Sequence, residues 1–439
     1  MARILLKHAD IITLNDENEV LRGVDVAIEG KQIAHIGDIP GGWMAEETLD
    51  LTDHVIMPGF WNAHTHSPMT FVRSIGDDLP LDRWFNEKIW VAESGLTEED
   101  VYWGALLAAA EMIRSGTVGF ADHYFHMHRV AEVVEQSGLK ALLATALFGT
   151  GQEVSLSFEE SVGWANHLRG AADGRIRTTL GPHSPYLCPP EFLEEVAEAA
   201  QREGLGVHIH LAESEEQVNV SMEKYGRTPV EHLHSLGVFE VPTIAAHCIA
   251  VSEKDMDILA EQGVVPVQCP QCHMKLAMGV TPVPAMLERG IPVALGTDGP
   301  GSNNNLDMLE EAQLAPLMQR LHLGDATSLP GDLPLRLATT HGARAMGFPN
   351  SGTLRPDAAA DLIVLDFRHP HLQPRLSIIG NVLYAANSGD IVHSMVDGRW
   401  LMRDRKLLTL DETHILAEAE KRALAMNERG KTLLRKYEG

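Results

Sequence analysis

Apolar runs alternate with amphipathic stretches through the middle of the chain. The amphipathic stretches, such as 97–116 and 189–204, have the helical period and end near a glycine, as helices commonly do. Eight such units predict an α/β fold, a (β/α)₈ TIM-like barrel. An open, doubly wound sheet is the alternative, but no GxGxxG loop follows the first strand. The strand candidates are MPGFWNAHTH, GTVGFADHYF, ALLATALF, RIRTTLGPHSPY, GVHIHLAE, TIAAHC, VVPVQCP and PVALGTDG.

Short alternating strands recur at both ends of the chain. They lie within 2–38 at the start and within 352–404 near the end, where glycines mark the turns. We therefore predict a small β-sandwich built from residues 1–57 and 351–439, with the barrel, residues 58–350, inserted between its parts. The last stretch, 412–439, mixes both charges and predicts a solvated amphipathic helix.

Composition limits the partners. Among 439 residues, 35 Lys plus Arg stand against 61 Asp plus Glu, a formal net charge of −26. Such a charge repels polyanions, so we expect neither a nucleic-acid polymer nor a membrane surface as a partner. The N-terminus lacks the pattern of a signal peptide, and four cysteines are too few for a disulfide framework. We expect a cytoplasmic protein that acts on a small molecule.

Histidines and an aspartate stand at the predicted strand ends. His64 and His66 close an apolar run, 55–61, that reads as one strand, and alternation puts their side chains on one face. His210 and Asp298 end later strands, and a barrel gathers such ends around one mouth. Three imidazoles and a carboxylate suit one divalent metal ion, Zn²⁺ first, although Fe²⁺ or Mn²⁺ would accept the same atoms. The pattern predicts a metal-dependent hydrolase.

Three further polar residues are candidates for chemistry at this mouth. Glu213 follows His210 by three residues, and a carboxylate beside activated water can take a proton and pass it on. Strand alternation places Glu213 on the other face unless the turn redirects it; a solvated loop acid is the alternative. His247 could hold the water or be a core histidine, and His183 could contact substrate or stabilise its proline-rich turn.

Two histidine-containing motifs are weaker signals. The HYFHMH segment (His123, His126, His128) is interpreted as a lining loop near the second strand rather than as a second metal site. The segment 269–273 matches the C-x-x-C-H pattern of haem attachment and contains a C-x-x-C, which leaves a redox role or a structural metal as further alternatives. Because no export signal accompanies it, pocket lining or packing is favoured. Strand 4 carries no lysine that could become a carbamate bridge, which favours one metal ion over two.

The segments PGFWNAHTHSPMT, GPHSPYLC, HIHLAES, MKLAMGVTPV, LGTDGPGSNNNLDM and ADLIVLD resemble, in this order, the amidohydrolase superfamily. Within it the chain is similar to the 5′-methylthioadenosine/S-adenosylhomocysteine deaminase group, which is related to the triazine hydrolases. The resemblance implies a set of roles: metal ligands His64, His66, His210 and Asp298; proton transfer by Glu213 and Asp298; a water contact from His247; and substrate contacts from His183, Glu93 and Trp84.

The implied reaction is hydrolytic deamination of an adenosine-type nucleoside to its inosine analogue and ammonia, by a homo-oligomeric enzyme. Members that accept a homocysteinyl tail carry arginines after strand 3, but no Lys or Arg lies between Lys140 and Arg169. We therefore expect 5′-methylthioadenosine, adenosine or 5′-deoxyadenosine to outrank S-adenosylhomocysteine. Cys272 and His273 replace a usual Ser-Asn pair, which leaves another amino-heterocycle (a free base, a pterin or an s-triazine) as the alternative. A non-catalytic assembly protein is the remote one.

Overall fold

The structure is a computed structural model that describes residues 2–17, 19–150 and 156–437. The strands are β1 (Arg3–Ile12), β2 (Val20–Glu29), β3 (Gln32–Ile36), β4 (Glu47–Asp50), β5 (His54–Pro58), β6 (Phe60–Thr65), β7 (Thr117–Tyr124), β8 (Lys140–Leu147), β9 (Ile176–Pro182), β10 (Val207–Leu211), β11 (Thr243–His247), β12 (Val265–Gln268), β13 (Ala294–Leu295), β14 (Leu362–Asp366), β15 (Ile391–Val396), β16 (Arg399–Arg403) and β17 (Lys406–Leu407).

The helices are α1 (Leu81–Trp84), α2 (Trp90–Glu93), α3 (Glu98–Arg114), α4 (Met127–Ser137), α5 (Phe158–Leu168), α6 (Ala171–Gly174), α7 (Pro190–Glu203), α8 (Glu215–Tyr225), α9 (Pro229–Ser235), α10 (Glu253–Gln262), α11 (Pro270–Lys275), α12 (Val283–Glu288), α13 (Met308–Leu323), α14 (Leu333–Arg336), α15 (Gly342–Ala345), α16 (Ile378–Tyr384) and α17 (Glu412–Tyr437). No helix in the described ranges combines the length and the apolar character needed to span a bilayer.

Strands β6 to β13 form one sheet in sequence order, and every pair in it is parallel. The last strand returns to the first: the Asp298 N–H donates to the His64 carbonyl over 3.0 Å, just beyond β13. A Cβ on Gly296 would lie 2.8 Å from the His64 backbone, so only glycine allows the two chains to approach this closely. The predicted barrel is confirmed, and the open doubly wound sheet is excluded.

The remaining nine strands form a second sheet from both ends of the chain. Its order is β17-β16-β15-β14-β5-β1-β2-β3, with β4 beside β1; β1 pairs in parallel with β4 and β5, and the other pairs are antiparallel. The sheet folds over itself, since Arg403 of β16 forms an ion pair with Glu47 of β4. Its own core includes Leu6, Ile28, Ile33, Ile56, Leu362, Met395 and Trp400.

The apolar run 55–61 does not form the single strand that its composition predicts. It divides at Gly59 into β5, which pairs with β1 and β14 in the small sheet, and β6, which opens the barrel. A Cβ on Gly59 would lie 2.2 Å from Cγ1 of Val118, so the chain can change sheets here only without a side chain. The prediction of one strand is wrong because both halves of the run are buried, and an apolar pattern does not show that they are buried in different sheets.

The terminal helix α17 is amphipathic, but it is not the freely solvated helix that we predicted. Ile415, Ala419 and Met426 are buried against α2 and α3. Arg429 donates to the Gly95 carbonyl over 2.9 Å and also pairs with Asp100. One face of the helix therefore packs on the barrel.

A buried ion cluster joins the two sheets. Lys140, at the start of β8, places its Nζ 2.7 Å from Oδ2 of Asp361 and 2.6 Å from Oδ1 of Asp397. Its side chain is only 6% exposed. Burial opposes charge on the amine, but the two carboxylates outweigh it and raise the pKa of Lys140. The cluster fixes the small sheet against the base of the barrel, opposite the predicted site.

Candidate metal centre and substrate cavity

Four side chains from the predicted set meet at the carboxyl ends of the barrel strands. Oδ1 of Asp298 lies 3.2 Å from Nε2 of His66 and 3.4 Å from Nε2 of His64. Nε2 of His210 lies 3.3 Å from Nε2 of His66. Residues more than 230 positions apart thus share one small volume, as the barrel prediction requires.

Each of the three imidazoles is held by its other ring nitrogen. Nδ1 of His64 hydrogen-bonds to Nε2 of His208 over 2.8 Å, and Nδ1 of His66 and of His210 donates to backbone carbonyls at the ends of neighbouring strands. Such outer contacts orient metal-binding histidines and leave the second nitrogen with a lone pair. Here that second nitrogen is Nε2 in every case. His208 gave no separate signal in the sequence.

The donor set fits a divalent cation. Nε2 of His64 is buried and makes no hydrogen bond, which is an unusual state for a polar atom in a protein interior. With Zn–N distances of about 2.0–2.1 Å, the nitrogens of a tetrahedral site stand about 3.4 Å apart. The spacings of 3.2–3.4 Å match this value.

Asp298 is kept as a carboxylate. Burial favours its neutral form, but the His64 and His66 rings that face its Oδ1 outweigh burial and hold the pKa of Asp298 well below the ordinary value. Its second oxygen accepts from Oγ of Ser302 over 2.6 Å and from Sγ of Cys272 over 3.0 Å. Sequence reasoning singled out Cys272 but missed Ser302, because a serine in a polar loop carries no periodic signal.

Strained backbone aims the strand-end side chains inward. Ala212, His247 and Asp298 each adopt a positive φ (50°, 76° and 60°), a region that non-glycine residues seldom occupy. The turn at Ala212 changes the direction of the chain immediately before Glu213. That turn is why Glu213 faces the same cavity as His210, although strand alternation alone predicts the opposite face.

Glu213 and His247 complete the polar floor of the cavity. Burial, reinforced by the Asp298 charge, raises the pKa of Glu213 to about 8, so this carboxyl holds a proton at neutral pH. Burial lowers the pKa of His247 well below its ordinary value, which keeps the ring neutral. Nδ1 of His247 lies 3.2 Å from Nε2 of His273, so its Nε2 is left for the cavity.

A cavity of about 680 Å³ opens above the four ligand candidates. His183 stacks on its wall between His210 and Phe148, with ring centroids 4.5 Å and 5.1 Å away. Further out, Glu93 accepts a hydrogen bond from the Tyr124 hydroxyl, and burial raises the pKa of Glu93 to about 7. The structure places the predicted proton-transfer and substrate residues here: Trp84, Glu93, His183, Glu213 and His247 on the lining, with His64 beneath it. Of the HYFHMH histidines only His123 lines the cavity; His126 and His128 lie beside Glu98, so the prediction of a lining loop is wrong for these two.

The lining is acidic and otherwise mostly apolar. Four acids face the cavity: Glu93, Glu213, Glu216 and Asp298. Within the described part of the chain, the lining contains no lysine or arginine. Aromatic rings, among them Trp84 and Trp90, surround the outer half. Trp84 is fixed there, because its Nε1 donates to the Gly301 carbonyl over 3.0 Å.

The family model described as "Amidohydrolase family" matches residues 55–401. A protein of Pelotomaculum thermopropionicum named 5-methylthioadenosine/S-adenosylhomocysteine deaminase is 45% identical over 432 residues, which cover 98% of this chain and 100% of that protein. An adenosine deaminase from Xanthomonas campestris, solved with bound zinc, superposes with a TM-score of 0.92 at 31% identity, over 98% of this chain and 99% of that one.

A zinc complex of atrazine chlorohydrolase from Arthrobacter aurescens superposes with a TM-score of 0.88, over 97% of this chain and 100% of that one. At 21% identity this likeness shows the shared fold alone. The chain belongs to the amidohydrolase family and is a metal-dependent hydrolase of that family. The resemblance inferred from its motifs is thereby confirmed.

Proposed function

We propose that this enzyme deaminates adenosine-type nucleosides hydrolytically. The observation that carries the proposal is the convergence of His64, His66, His210 and Asp298 at the floor of one cavity that Glu213 also lines. Together with the deaminases that the chain resembles, this arrangement supports a water-activating site below a pocket of nucleoside size.

In this proposal, His64, His66, His210 and Asp298 hold one divalent ion, which we propose to be zinc. When bound, such an ion lowers the pKa of water at the site toward neutrality. Three imidazole nitrogens and one carboxylate oxygen form a donor set that zinc accepts, and the zinc-bound relative supports this choice.

The protein's own residues supply the proton transfers. Asp298, an anion, accepts a proton from the attacking water, and neutral His247 holds the water through Nε2. Glu213 gives its proton to purine N1 as the water oxygen bonds to C6. Asp298 then passes its proton to the exocyclic amino group, the bond from C6 to that amino group breaks, and ammonia leaves. The C6 hydroxyl returns a proton to Glu213, and the product is the inosine analogue.

The outer cavity suits a nucleoside. Glu93 offers a carboxylate oxygen to the ribose hydroxyls, His183 presents a ring edge to the nucleoside, and Trp84 closes the mouth. A neutral 5′ substituent, such as a methylthio group, meets aromatic and aliphatic walls there. A homocysteinyl carboxylate would meet Glu93 and Glu216 with no cationic partner among the described lining residues. We therefore propose 5′-methylthioadenosine, adenosine and 5′-deoxyadenosine ahead of S-adenosylhomocysteine.

Cys272 favours a second candidate function, deamination or hydrolysis of another amino-heterocycle. Its thiol lies on the cavity lining and donates to Asp298, so the floor beside the reacting ring is softer and less polar than an oxygen or amide group would make it. A free base, pterin or s-triazine without a sugar would leave Glu93 unused. The homo-oligomeric state, the cytoplasmic location and the absence of nucleic-acid partners stay predictions of the sequence.

A substrate panel tests the proposal. Purified protein loaded with one equivalent of Zn²⁺ is mixed with 5′-methylthioadenosine, adenosine, 5′-deoxyadenosine, S-adenosylhomocysteine, adenine and an amino-s-triazine, and the loss of adenine absorbance or the release of ammonia is followed. We expect the neutral nucleosides to have the highest kcat/KM. An Asp298→Asn variant should lose bound metal and turnover together. Failure to turn over any 6-aminopurine nucleoside would refute the proposal, and preference for the sugar-free rings would select the second candidate.

A further inference from the structure

A second group of metal-ligand side chains lies beside the first, at the start of α11. Ligand atoms of His247, Cys269 and His273 all lie within 4.8 Å of one another. Cys269 and His273 are fully buried, and His247 is 2% exposed. Of these three residues, only His247 has a role in the proposed deamination.

The geometry of the group suits a tetrahedral cation. Nδ1 of His247 and Nε2 of His273 stand 3.2 Å apart, close to the separation of about 3.4 Å for two nitrogens on one zinc ion. A thiolate with two imidazoles is a softer set than the oxygen- and nitrogen-only centre around Asp298, and it selects thiophilic ions. Thiolate and imidazole are both ligands that zinc takes, and three protein ligands with one open position are the number found in catalytic zinc sites.

Hydrogen bonding alone leaves this group incomplete. Nδ1 of His273 is buried and has no hydrogen-bond partner, a state that native interiors rarely tolerate. The His247–His273 contact uses only one nitrogen of His273.

We propose that Cys269, His273 and His247 form a second site, which takes a thiophilic divalent cation such as Cd²⁺ or excess Zn²⁺ and inhibits the enzyme when filled. The proposal has a binding half, that a cation binds here, and an inhibitory half, that the bound cation inhibits the enzyme. The binding half depends on the cluster geometry alone, whereas the inhibitory half rests on the proposed deamination. On binding, the Cys269 thiol loses its proton to solvent and the sulfur bonds to the ion. The ion binds Nδ1 of His247 in place of its contact with His273 and puts a positive charge beside the water that the His247 ring holds.

Cadmium binding tests the site directly. Full-length protein already carrying one equivalent of Zn²⁺ is titrated with Cd²⁺, and thiolate-to-metal charge-transfer absorption in the ultraviolet is recorded with the metal content after gel filtration. Because the first centre has no sulfur ligand, we expect the absorption to rise with uptake of a second equivalent. Cys269→Ser should lose both signals, and His273→Asn should weaken both.

Cys188→Ser is the matched control, since Cys188 is a buried thiol outside the cluster that donates to the Leu147 carbonyl. It should keep both the absorption and the second equivalent. Absence of the absorption in the unmodified protein at saturating Cd²⁺ would overturn the proposal. The proposal would also be overturned if the absorption persisted in Cys269→Ser and was lost in Cys272→Ser.

Activity gives the second arm of the test. Excess Cd²⁺ or Zn²⁺ should inhibit the unmodified enzyme but should not inhibit the Cys269→Ser variant. The rate of each protein is compared with its own rate at one equivalent of Zn²⁺. Equal inhibition of both would overturn the inhibitory half. Thiolate absorption in a protein that deaminates no substrate of the panel would support the second metal site and refute the proposed function. Turnover without thiolate absorption would support the proposed function and refute the second metal site.

Discussion

Replacing Glu213 by glutamine should make the protein more stable at alkaline pH while removing its activity. Glu213 is 8% exposed, and burial followed by the Asp298 charge raises its pKa from an ordinary 4.5 to about 8. That difference of about 3.5 pH units corresponds to about 5 kcal/mol between the two protonation states. Glutamine has nearly the same shape but never ionises.

The direction of the pH effect follows from proton binding. Between pH 4.5 and about 8, the native protein holds a proton on Glu213 that the unfolded chain has lost. The free energy of unfolding therefore falls as pH rises through this window, and below it the group has no effect. Near pH 5 the metal-stripped variant and the metal-stripped original should unfold at similar urea concentrations. At pH 8.5 the variant should unfold at a clearly higher urea concentration. Its free energy of unfolding should exceed that of the original by up to about 5 kcal/mol.

Activity should change in the opposite sense. Without a proton to give to the purine ring, kcat/KM for 5′-methylthioadenosine should fall by about 10²–10⁴-fold, the usual contribution of a positioned acid or base. Urea unfolding at the two pH values and the absorbance assay measure both effects. Glu215→Gln, at an exposed acid two residues away, should change neither. A Glu213→Gln enzyme that keeps its rate within tenfold, or that shows the same stability difference at both pH values, would refute the reasoning.

Substitutions at Lys140 and Glu93, with Lys31 as a control, test stability and substrate binding separately. Lys140→Met should destabilise the protein by about 3–5 kcal/mol, read as a lower urea midpoint, because Asp361 would keep a buried charge without its cation. Lys31→Met, at a half-exposed lysine 3.7 Å from Asp397, should cost less than about 1 kcal/mol. Glu93→Gln should raise the KM for nucleosides about tenfold or more, since a hydrogen bond to a charged group contributes about 1.5–3 kcal/mol, and should leave KM for adenine unchanged.

Each of these expectations has a contrary result. Equal midpoints for the Lys140 and Lys31 variants would mean that the buried ion cluster contributes no more than a surface pair. A similar rise in KM for adenine and for nucleosides in the Glu93 variant would show that Glu93 acts on cavity shape rather than on the ribose. Glu216→Gln, an exposed acid on the same lining, is the matched control and should leave both KM values near their original level.

Much of the centre could be predicted because its information is local. His64 and His66 share a face through strand alternation alone, and the positions of His210 and Asp298 at strand ends follow from where apolar runs stop. The barrel then follows from eight repeated units, since parallel strands need a crossover and the crossovers are visible as helical periods. Glu213 could be proposed from spacing, but its direction could not, because that depends on the positive φ of Ala212.

The sequence by itself determined the fold class, the candidate ligand residues and the family of this protein, because side-chain chemistry and period are properties of short segments. Only the tertiary structure decided that Gly59 splits one apolar run between two sheets, that Ser302 and Cys272 support Asp298, and that His273 meets His247. These contacts depend on how the barrel closes and on strained turns. Closure of the barrel depends on packing over the whole chain, so no short sequence pattern predicts these contacts.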